Sequence, residues 1–473
     1  MITNQEMGLL LGIWLTLFIA TLIVTARRRS TVGLIASFLL NFCANHWIAS
    51  TLYIIPGTPV YNPVVVSAGL EQSVIGMLGF AFGTIVLVPL AKKVLPKERP
   101  TLPDQYIEPR KLIWIFLVVG LVSYALPRLT PLLSELASID TFANALSQCI
   151  LLAACLFLYT KSSSGSRTTF ISMLVIALCF PIISLVFDGF LSFGTVASVA
   201  TMTFYFAFRR FRAKQALLTL VVAYIGLSIL ANYLNHRETI RSSVWAGDPI
   251  LSRVEVVMNT LAEFEWLTWD SSSFLLQIDS RMNRNYMVGQ AVYQLRSGFV
   301  AYANGSTFLD TLIAPIPRIL WPEKPNIAGG NKLATQFTGE EYDPNTTIGS
   351  GPVFEGYVNF GSVGVLMLFT IWALVIGICD TQARHAIERG NFRRFSLWFL
   401  PGFTLVSTAD SVASITGAMI SLVIAVQILY FAIKLFSKPE NKAVTGTIHV
   451  ASGQEVVSRH EALIPQVQQS SKY

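Results

Sequence analysis

The sequence predicts an all-α polytopic membrane protein with about eleven transmembrane helices and one long, partly helical loop on the outer side. The first observation is composition: 53% of the 473 residues are hydrophobic and only 13% are charged, whereas soluble proteins average about 25% charged residues. The second is a series of apolar runs, each near the roughly 20 residues that cross a bilayer. This composition excludes a large soluble enzyme and a disordered chain.

The first apolar run extends from Met7 to Thr25, with no basic residue before it and three arginines, residues 27–29, directly after it. A secretory signal peptide has the opposite polarity. We therefore interpret the run as a membrane span whose N-terminus lies outside. The other ten predicted spans lie at 31–55, 69–90, 112–127, 142–160, 169–187, 190–208, 216–233, 353–379, 395–410 and 411–436.

The third observation is where the basic residues fall between these runs. Of the 34 Lys and Arg residues, 24 lie in the loops and tail that the alternation puts inside, and nine of the other ten lie in the segment 234–352. The short outside loops are nearly free of basic residues, as the positive-inside rule requires. The net charge of +7 therefore reflects topology and predicts no binding of nucleic acid.

These patterns divide the chain into four parts. Residues 1–233 carry predicted transmembrane helices 1–8, residues 234–352 form the long outside loop, and residues 353–436 carry helices 9–11. Residues 437–473 are polar and without periodicity, so we predict a disordered inside tail. All five cysteines lie in apolar runs without metal-ligand spacing, so we predict neither a disulfide framework nor a metal site.

The loop 234–352 opens with a predicted amphipathic helix. Apolar residues recur at helical spacing from Ile250 to Phe264, and Trp266 and Trp269 follow. Tryptophan favours a membrane–water interface. We expect this part of the loop to lie on the helix bundle and the lipid surface, with simple packing on the bundle favoured over substrate binding.

Seven arginines in this loop are candidate phosphate ligands, because a guanidinium presents a planar fork that matches phosphate oxygens. Two of them are four residues apart and two are three residues apart, spacings that place side chains on one helical face. The alternative is ion pairing with the twelve acidic residues of the loop. The seven are Arg237, Arg241, Arg253, Arg281, Arg284, Arg296 and Arg318.

Four prolines between residues 315 and 325 predict an extended, stiff path. Such a path can hold Arg318 and Lys324 in place before a ligand binds. Glu355, Tyr357 and Asn359 follow at the entrance of predicted span nine. Polar groups there face protein or a water-filled cavity. Helix capping by Glu355 is the simpler alternative.

In these two segments the sequence resembles a family of bacterial enzymes. The residues Pro317-Arg318 and Trp321-Pro322-Glu323-Lys324-Pro325, followed by Glu355-Gly-Tyr-Val-Asn-Phe-Gly361, are similar to the oligosaccharide repeat-unit polymerases of the Wzy type. The motif resemblance covers about residues 320–364, and the hydropathy plan agrees over the whole chain. The arginine-to-glycine spacing repeat described for some members is absent, so roles drawn from it are not carried over.

The resemblance implies a glycosyltransferase of the bacterial inner membrane, with the N-terminus and the 234–352 loop periplasmic and the C-terminus cytoplasmic. It would polymerise repeat units linked to undecaprenyl pyrophosphate by a metal-independent, inverting displacement that uses no cofactor. Expected partners are this lipid-linked oligosaccharide, membrane lipid, and a chain-length regulator and flippase of the same pathway.

The candidate site residues fall into three groups. As acceptor base we consider Glu355 and His236, followed by Asp279. The candidates for glycan binding are Trp321, Tyr357 and Asn359. The candidates for binding the substrate pyrophosphate are Arg237, Arg241, Arg281, Arg284, Arg318 and Lys324.

Other functions remain open on the sequence alone. An O-antigen ligase uses the same chemistry with another acceptor, and no residue here decides between the two. A flippase or transporter predicts charged residues deep in several spans, broken helices and internal repeats. The sequence shows His46 in span two but no broad polar lining. A lipid-phosphate-sugar transferase is expected to carry acids in its first outside loop, and 56–69 has none. A cysteine-dependent transpeptidase would need a cysteine in the outside loop.

Overall fold

The computed structural model describes residues 4–54, 60–94, 108–130, 137–162, 167–209, 213–266, 272–316, 321, 323–324, 330–342 and 348–436. Within these ranges the protein is a helix bundle without β-strands. The predicted tail at 437–473 and Arg318 lie outside the described residues.

The first half of the described chain contains eleven α-helices. They are α1 (Asn4–Arg28), α2 (Leu34–Phe42), α3 (Ala49–Thr51), α4 (Pro63–Phe82), α5 (Val88–Val94), α6 (Pro109–Leu129), α7 (Ala137–Ser147), α8 (Cys149–Ser162), α9 (Arg167–Asp188), α10 (Ser192–Ala207) and α11 (Ala213–Trp245). Two π-helical segments interrupt this series, Cys43–Ile48 between α2 and α3 and Gly83–Leu87 between α4 and α5, and a 3-10 turn, Leu52–Ile54, follows α3.

The remaining helices are α12 (Ile250–Ala262), α13 (Ser272–Met282), α14 (Arg284–Arg296), α15 (Ser306–Ile313), α16 (Gly330–Thr338), α17 (Gly351–Glu388), α18 (Phe392–Thr404) and α19 (Val412–Phe436). Seven helices in the described part of the chain are long and apolar enough to cross a membrane: Gln5–Arg28, Pro63–Val94, Pro109–Arg128, Ile139–Lys161, Arg167–Asp188, Gly351–Glu388 and Val412–Phe436. A multi-pass helical membrane protein is therefore confirmed.

The predicted number of spans, eleven, is larger than the seven candidate membrane-spanning helices found in the described part of the chain. Every predicted apolar run coincides with helical structure, but the runs at 31–55, 190–208, 216–233 and 395–410 are not among the seven. α10 has 16 residues and α18 has 13, lengths of about 24 and 20 Å at 1.5 Å per residue. Both are shorter than the roughly 30 Å hydrocarbon core.

The segment 234–352 is largely helical and partly enters the bundle. α11 continues 12 residues beyond the predicted end at 233, and α12 confirms the predicted helix near residues 250–264. Only Val257 of its apolar stripe is fully buried, whereas Ile250 and Val254 are 38% exposed. Most of the α12 stripe therefore faces away from the protein, unlike a helix that simply packs on the bundle.

α14 lies tightly against the transmembrane helix α4. A Cβ atom at Gly289 would overlap the carbonyl oxygen of Val65, and a Cβ atom at Gly69 would overlap the carbonyl oxygen of Asn285. Two glycines therefore let the backbones touch at this crossing. This contact fixes the N-terminal end of α14, which begins at Arg284, inside the bundle.

Candidate functional site

α17 doubles back on itself directly after the predicted Glu355, Tyr357 and Asn359 group. Phe360 and Gly361 are non-helical, and Gly361 has φ 62° and ψ −152°, a region that is essentially restricted to glycine. A Cβ atom at Gly364 would overlap the carbonyl oxygen of Gly356, although residues eight apart in a straight helix are separated by about 12 Å. Residues 351–359 are thus a short buried helix that precedes the span, so the prediction of one continuous span over 353–379 is wrong in this respect.

Glu355 lies at the base of this hairpin and is only 2% exposed. Its Oε1 accepts hydrogen bonds from the Ser350 hydroxyl at 2.6 Å and from the backbone N–H of Val412 at 3.0 Å. Since Val412 is the first residue of α19, the carboxylate caps a different helix from its own. A carboxylate at a helix N-terminus is favoured by the helix dipole.

Arg284 begins α14 and points toward the segment that leads into the hairpin. Its Nη1 donates to the carbonyl oxygen of Gly349 at 3.1 Å, while its buried Nε has no hydrogen-bond partner in the part of the chain that the structure describes. Among the described residues no carboxylate oxygen lies within 4.0 Å of this guanidinium. Burial lowers the pKa of Arg284, and the nearby charge of Asp410 opposes that change.

A buried histidine stands beside Arg284 on the π-helical segment. His46 Nδ1 is 2.7 Å from Asn285 Oδ1, and the Asn285 amide group donates to the His46 carbonyl at 2.6 Å and to Ser50 Oγ at 2.8 Å. Because the contact to the His46 carbonyl needs the amide nitrogen, Oδ1 is the acceptor and His46 Nδ1 carries the proton. Its Nε2 then holds a lone pair.

The same π-helical segment reaches the turn between α18 and α19. Asn45 donates to Thr408 Oγ1 at 3.0 Å, and Ser407 donates to Asp410 at 2.6 Å. π-Helical segments occur frequently at functional sites. We call the resulting group the polar centre and define it as Asn45, His46, Arg284, Asn285, Ser350, Glu355, Thr408 and Asp410.

The structure separates the two arginine pairs that the sequence placed together. α13 ends at Met282 and α14 begins at Arg284, so Arg281 and Arg284 lie on different helices. Arg281 and Arg237 instead line one open cleft of about 280 Å³ together with Leu234, Glu238, Gln277 and Ser280. The cleft brings two predicted phosphate ligands together, apart from Arg284.

Arg241 is engaged elsewhere. Its guanidinium carbon lies 4.3 Å from the ring centroid of Phe190, and its Nη2 donates to the Tyr233 hydroxyl at 3.2 Å. Lys324 donates to the carbonyl oxygens of Ala314 and Ile316, at 2.6 and 2.9 Å, just beyond the C-terminal end of α15. These contacts give both predicted phosphate ligands a packing role.

The remaining candidates divide between the hairpin and the surface. Asn359 donates to Thr307 Oγ1 at 2.6 Å and accepts from the Gly305 N–H at 2.9 Å, which ties the hairpin to α15. Tyr357 is buried, and its ring centroid lies 6.3 Å from that of Tyr302. Trp321 is 38% exposed. His236 Nε2 is 3.8 Å from a carboxylate oxygen of Glu263, outside the polar centre.

Asp279 is fully enclosed, with an exposure of 0%. It accepts hydrogen bonds from Tyr53 Oη at 2.6 Å and from Asn283 Nδ2 at 2.7 Å. Burial raises the pKa of Asp279, and the hydrogen bonds from Tyr53 and Asn283 oppose that rise. The carboxylate therefore joins α13 to the chain that follows α3.

We expect Asp279→Asn to lower stability rather than specific activity. An asparagine side chain has one acceptor oxygen, so one of the two donors would lose its partner, at a cost of about 1–3 kcal/mol. Thermal unfolding of the purified protein, compared with activity per folded molecule, measures this. An unchanged melting temperature with lost activity would restore the catalytic assignment.

Sequence reasoning missed most of the polar centre. Asn45, His46, Thr408 and Asp410 lie in or beside apolar runs, and only His46 was singled out. Several polar residues within predicted spans were the available signal, since such residues face the bundle interior. Among the described residues no group of three His, Cys, Asp or Glu is placed to hold a metal.

A family model described as a domain of unknown function, DUF8712, matches residues 80–387. The matched range includes Arg284, Asn285 and Glu355. It does not include Asn45, His46 and Asp410. No curated protein and no solved structure matches the chain.

Proposed function

We propose that this chain, which belongs to the DUF8712 family, joins lipid-linked oligosaccharide repeat units into polysaccharide at the outer face of a bacterial inner membrane. The substrate is an oligosaccharide on undecaprenyl pyrophosphate, and the reaction is a metal-independent glycosyl transfer. The N-terminus would then be periplasmic and the C-terminus cytoplasmic. The proposal takes its reaction from the resemblance in residues 317–325 and 355–361.

Arg284 is the observation that carries this proposal. A buried guanidinium is costly unless it is paired. Among the described residues, however, Nε has no partner and the guanidinium donates one hydrogen bond, to the Gly349 carbonyl. Arg284 also begins the 13-residue helix α14, and a helix N-terminus favours anions. A pyrophosphate would supply the missing acceptors and the missing negative charge.

The proposed reaction requires the polar centre to stabilise the leaving group and to accept a proton. As the acceptor hydroxyl attacks the anomeric carbon, the bond to the pyrophosphate oxygen breaks and negative charge develops on the leaving group. Arg284 stabilises that charge. The hydroxyl proton passes to a base, and the Nε2 lone pair of His46 is better placed for this than His236, because His46 lies beside Arg284.

A flippase for the same lipid-linked oligosaccharide is the second candidate, because two specific features favour it. α17 is broken at Phe360–Gly361, and five of the eight residues of the polar centre are buried. Broken helices and polar interiors are typical of transporters. The structure of residues 351–361 fits either activity, so the two functions are separated by experiment.

Glycan laddering in a deletion host tests the proposal. We expect loss of the ladder with retention of the single-unit band, and recovery of the ladder when the gene is restored. Complete loss of capped glycan would contradict the polymerase and indicate a ligase or flippase. Lipid-linked substrate held on the cytoplasmic face would identify the flippase, and substrate held on the periplasmic face the ligase.

A further inference from the structure

A second cluster of polar and aromatic side chains surrounds Glu340, outside the polar centre. Glu340 Oε1 accepts from the Tyr286 hydroxyl at 3.0 Å and from the Gln290 amide, and Oε2 accepts from the Tyr342 hydroxyl at 3.0 Å. Tyr61 stacks on Tyr286 with ring centroids 3.8 Å apart and planes 14° apart. All five side chains are half-buried, so the cluster borders solvent.

Two features of this cluster are unusual for a purely structural contact. In the described part of the chain no cation lies within 4.0 Å of Glu340, so its charge is held by neutral donors alone. The Gln290 Oε1 atom is buried and has no hydrogen-bond partner among the described residues. A buried acceptor without a donor is costly, and a ligand hydroxyl would satisfy it.

The tyrosines remain protonated donors at neutral pH. Burial, together with the adjacent Glu340 carboxylate, raises the pKa of Tyr286 and of Tyr342 to about 12. Burial also raises the pKa of Tyr61. The cluster therefore combines aromatic surfaces with one negative charge and one buried amide acceptor that lacks a donor among the described residues.

This combination suits a sugar ring. Aromatic side chains offer a flat apolar surface at low entropic cost, on which the C–H face of a pyranose can lie. Sugar hydroxyls donate to carboxylate and amide oxygens. The unneutralised carboxylate repels an acidic sugar and accepts from hydroxyl or amino groups.

We propose that Tyr61, Tyr286, Gln290, Glu340 and Tyr342 form a binding subsite for one neutral or amino sugar ring of the glycan. The subsite rests on the proposed function, since its ligand is the substrate of the same protein. Tyr286 lies two residues from Arg284, a rise of about 3 Å along α14. The helix that carries the phosphate ligand thus also carries the sugar contact.

Saturation-transfer NMR with the full-length protein in nanodiscs tests this assignment. The probes are methyl glucoside, glucosamine and glucuronate at equal concentration. We expect saturation transfer to methyl glucoside and glucosamine, and at least fivefold less saturation transfer to glucuronate. Equal transfer to all three, or none to methyl glucoside and glucosamine, would overturn the subsite.

Two variants and a control locate the binding. Tyr286→Ala should reduce transfer to methyl glucoside at least fivefold, and the isosteric Glu340→Gln should remove the discrimination against glucuronate without disturbing packing. Tyr293→Ala changes an exposed tyrosine of the same helix and should leave transfer unchanged. Equal transfer in the wild type and in both site variants would refute the assignment.

The outcome is independent of polymer formation. Suppose that saturation transfer to the sugars depends on this cluster while Arg284→Ala cells make a normal ladder. That result would contradict the pyrophosphate site and support the sugar subsite. Suppose instead that Arg284→Ala cells lose the ladder, but saturation transfer is unchanged by substitution of Tyr286 and Glu340. That result would overturn the subsite and support the polymerase.

Discussion

Replacing Arg284 with alanine should abolish long polysaccharide while single capped repeat units persist. Of the predicted phosphate ligands that the structure describes, this guanidinium alone lies in the polar centre, and its Nε has no partner among the described residues. Removing one donor to a developing oxyanion lowers a rate by about 10²–10³-fold. The measurement is the glycan ladder in a deletion host, normalised to the amount of membrane-inserted protein.

Three variants serve as comparisons for Arg284→Ala. Arg284→Lys keeps the charge but loses the planar fork, so we expect short chains. Lys332→Ala removes an exposed cation on α16 and should leave the ladder unchanged. Arg281→Ala tests the separate cleft with Arg237 and should have the smaller effect. Normal chain length in Arg284→Ala cells, at normal protein level, would refute the pyrophosphate assignment.

The helices were predictable because burial in lipid and in the bundle demands long apolar runs. The grouping of the arginines was not. Spacing alone put Arg281 and Arg284 on one face, but Asn283 interrupts the helix between them, and Arg284 turns into the bundle. A one-residue break between two helices cannot be recognised in a hydropathy profile.

The hairpin in α17 was hidden for a related reason. Apolar residues continue through Phe360 and Gly361, so a hydropathy plan shows one long span. Gly361 was the available hint, because its positive φ is a conformation that other residues adopt only with strain. The capping of α19 by Glu355 depends on that reversal. The sequence suggested that Glu355 caps its own helix at the start of span nine, whereas in the structure it caps α19.

The tight crossing of α4 and α14 predicts a second large effect. Gly289→Ala places a methyl group against the Val65 carbonyl oxygen, and two backbones must separate to admit it. Overpacking of this kind costs about 1–3 kcal/mol and sometimes more. We expect a lower melting temperature and a strongly reduced ladder, because displacement of α14 also moves Arg284.

Gly12→Ala is the matched control for Gly289→Ala, since a Cβ atom at Gly12 meets nothing within 4 Å and alanine favours a helix over glycine. Its melting temperature should be equal or higher. If Gly289→Ala is as stable and as active as Gly12→Ala, the two backbones are not in contact. The N-terminal end of α14 would then lie outside the bundle, and Arg284 would lose the buried setting on which its phosphate role depends.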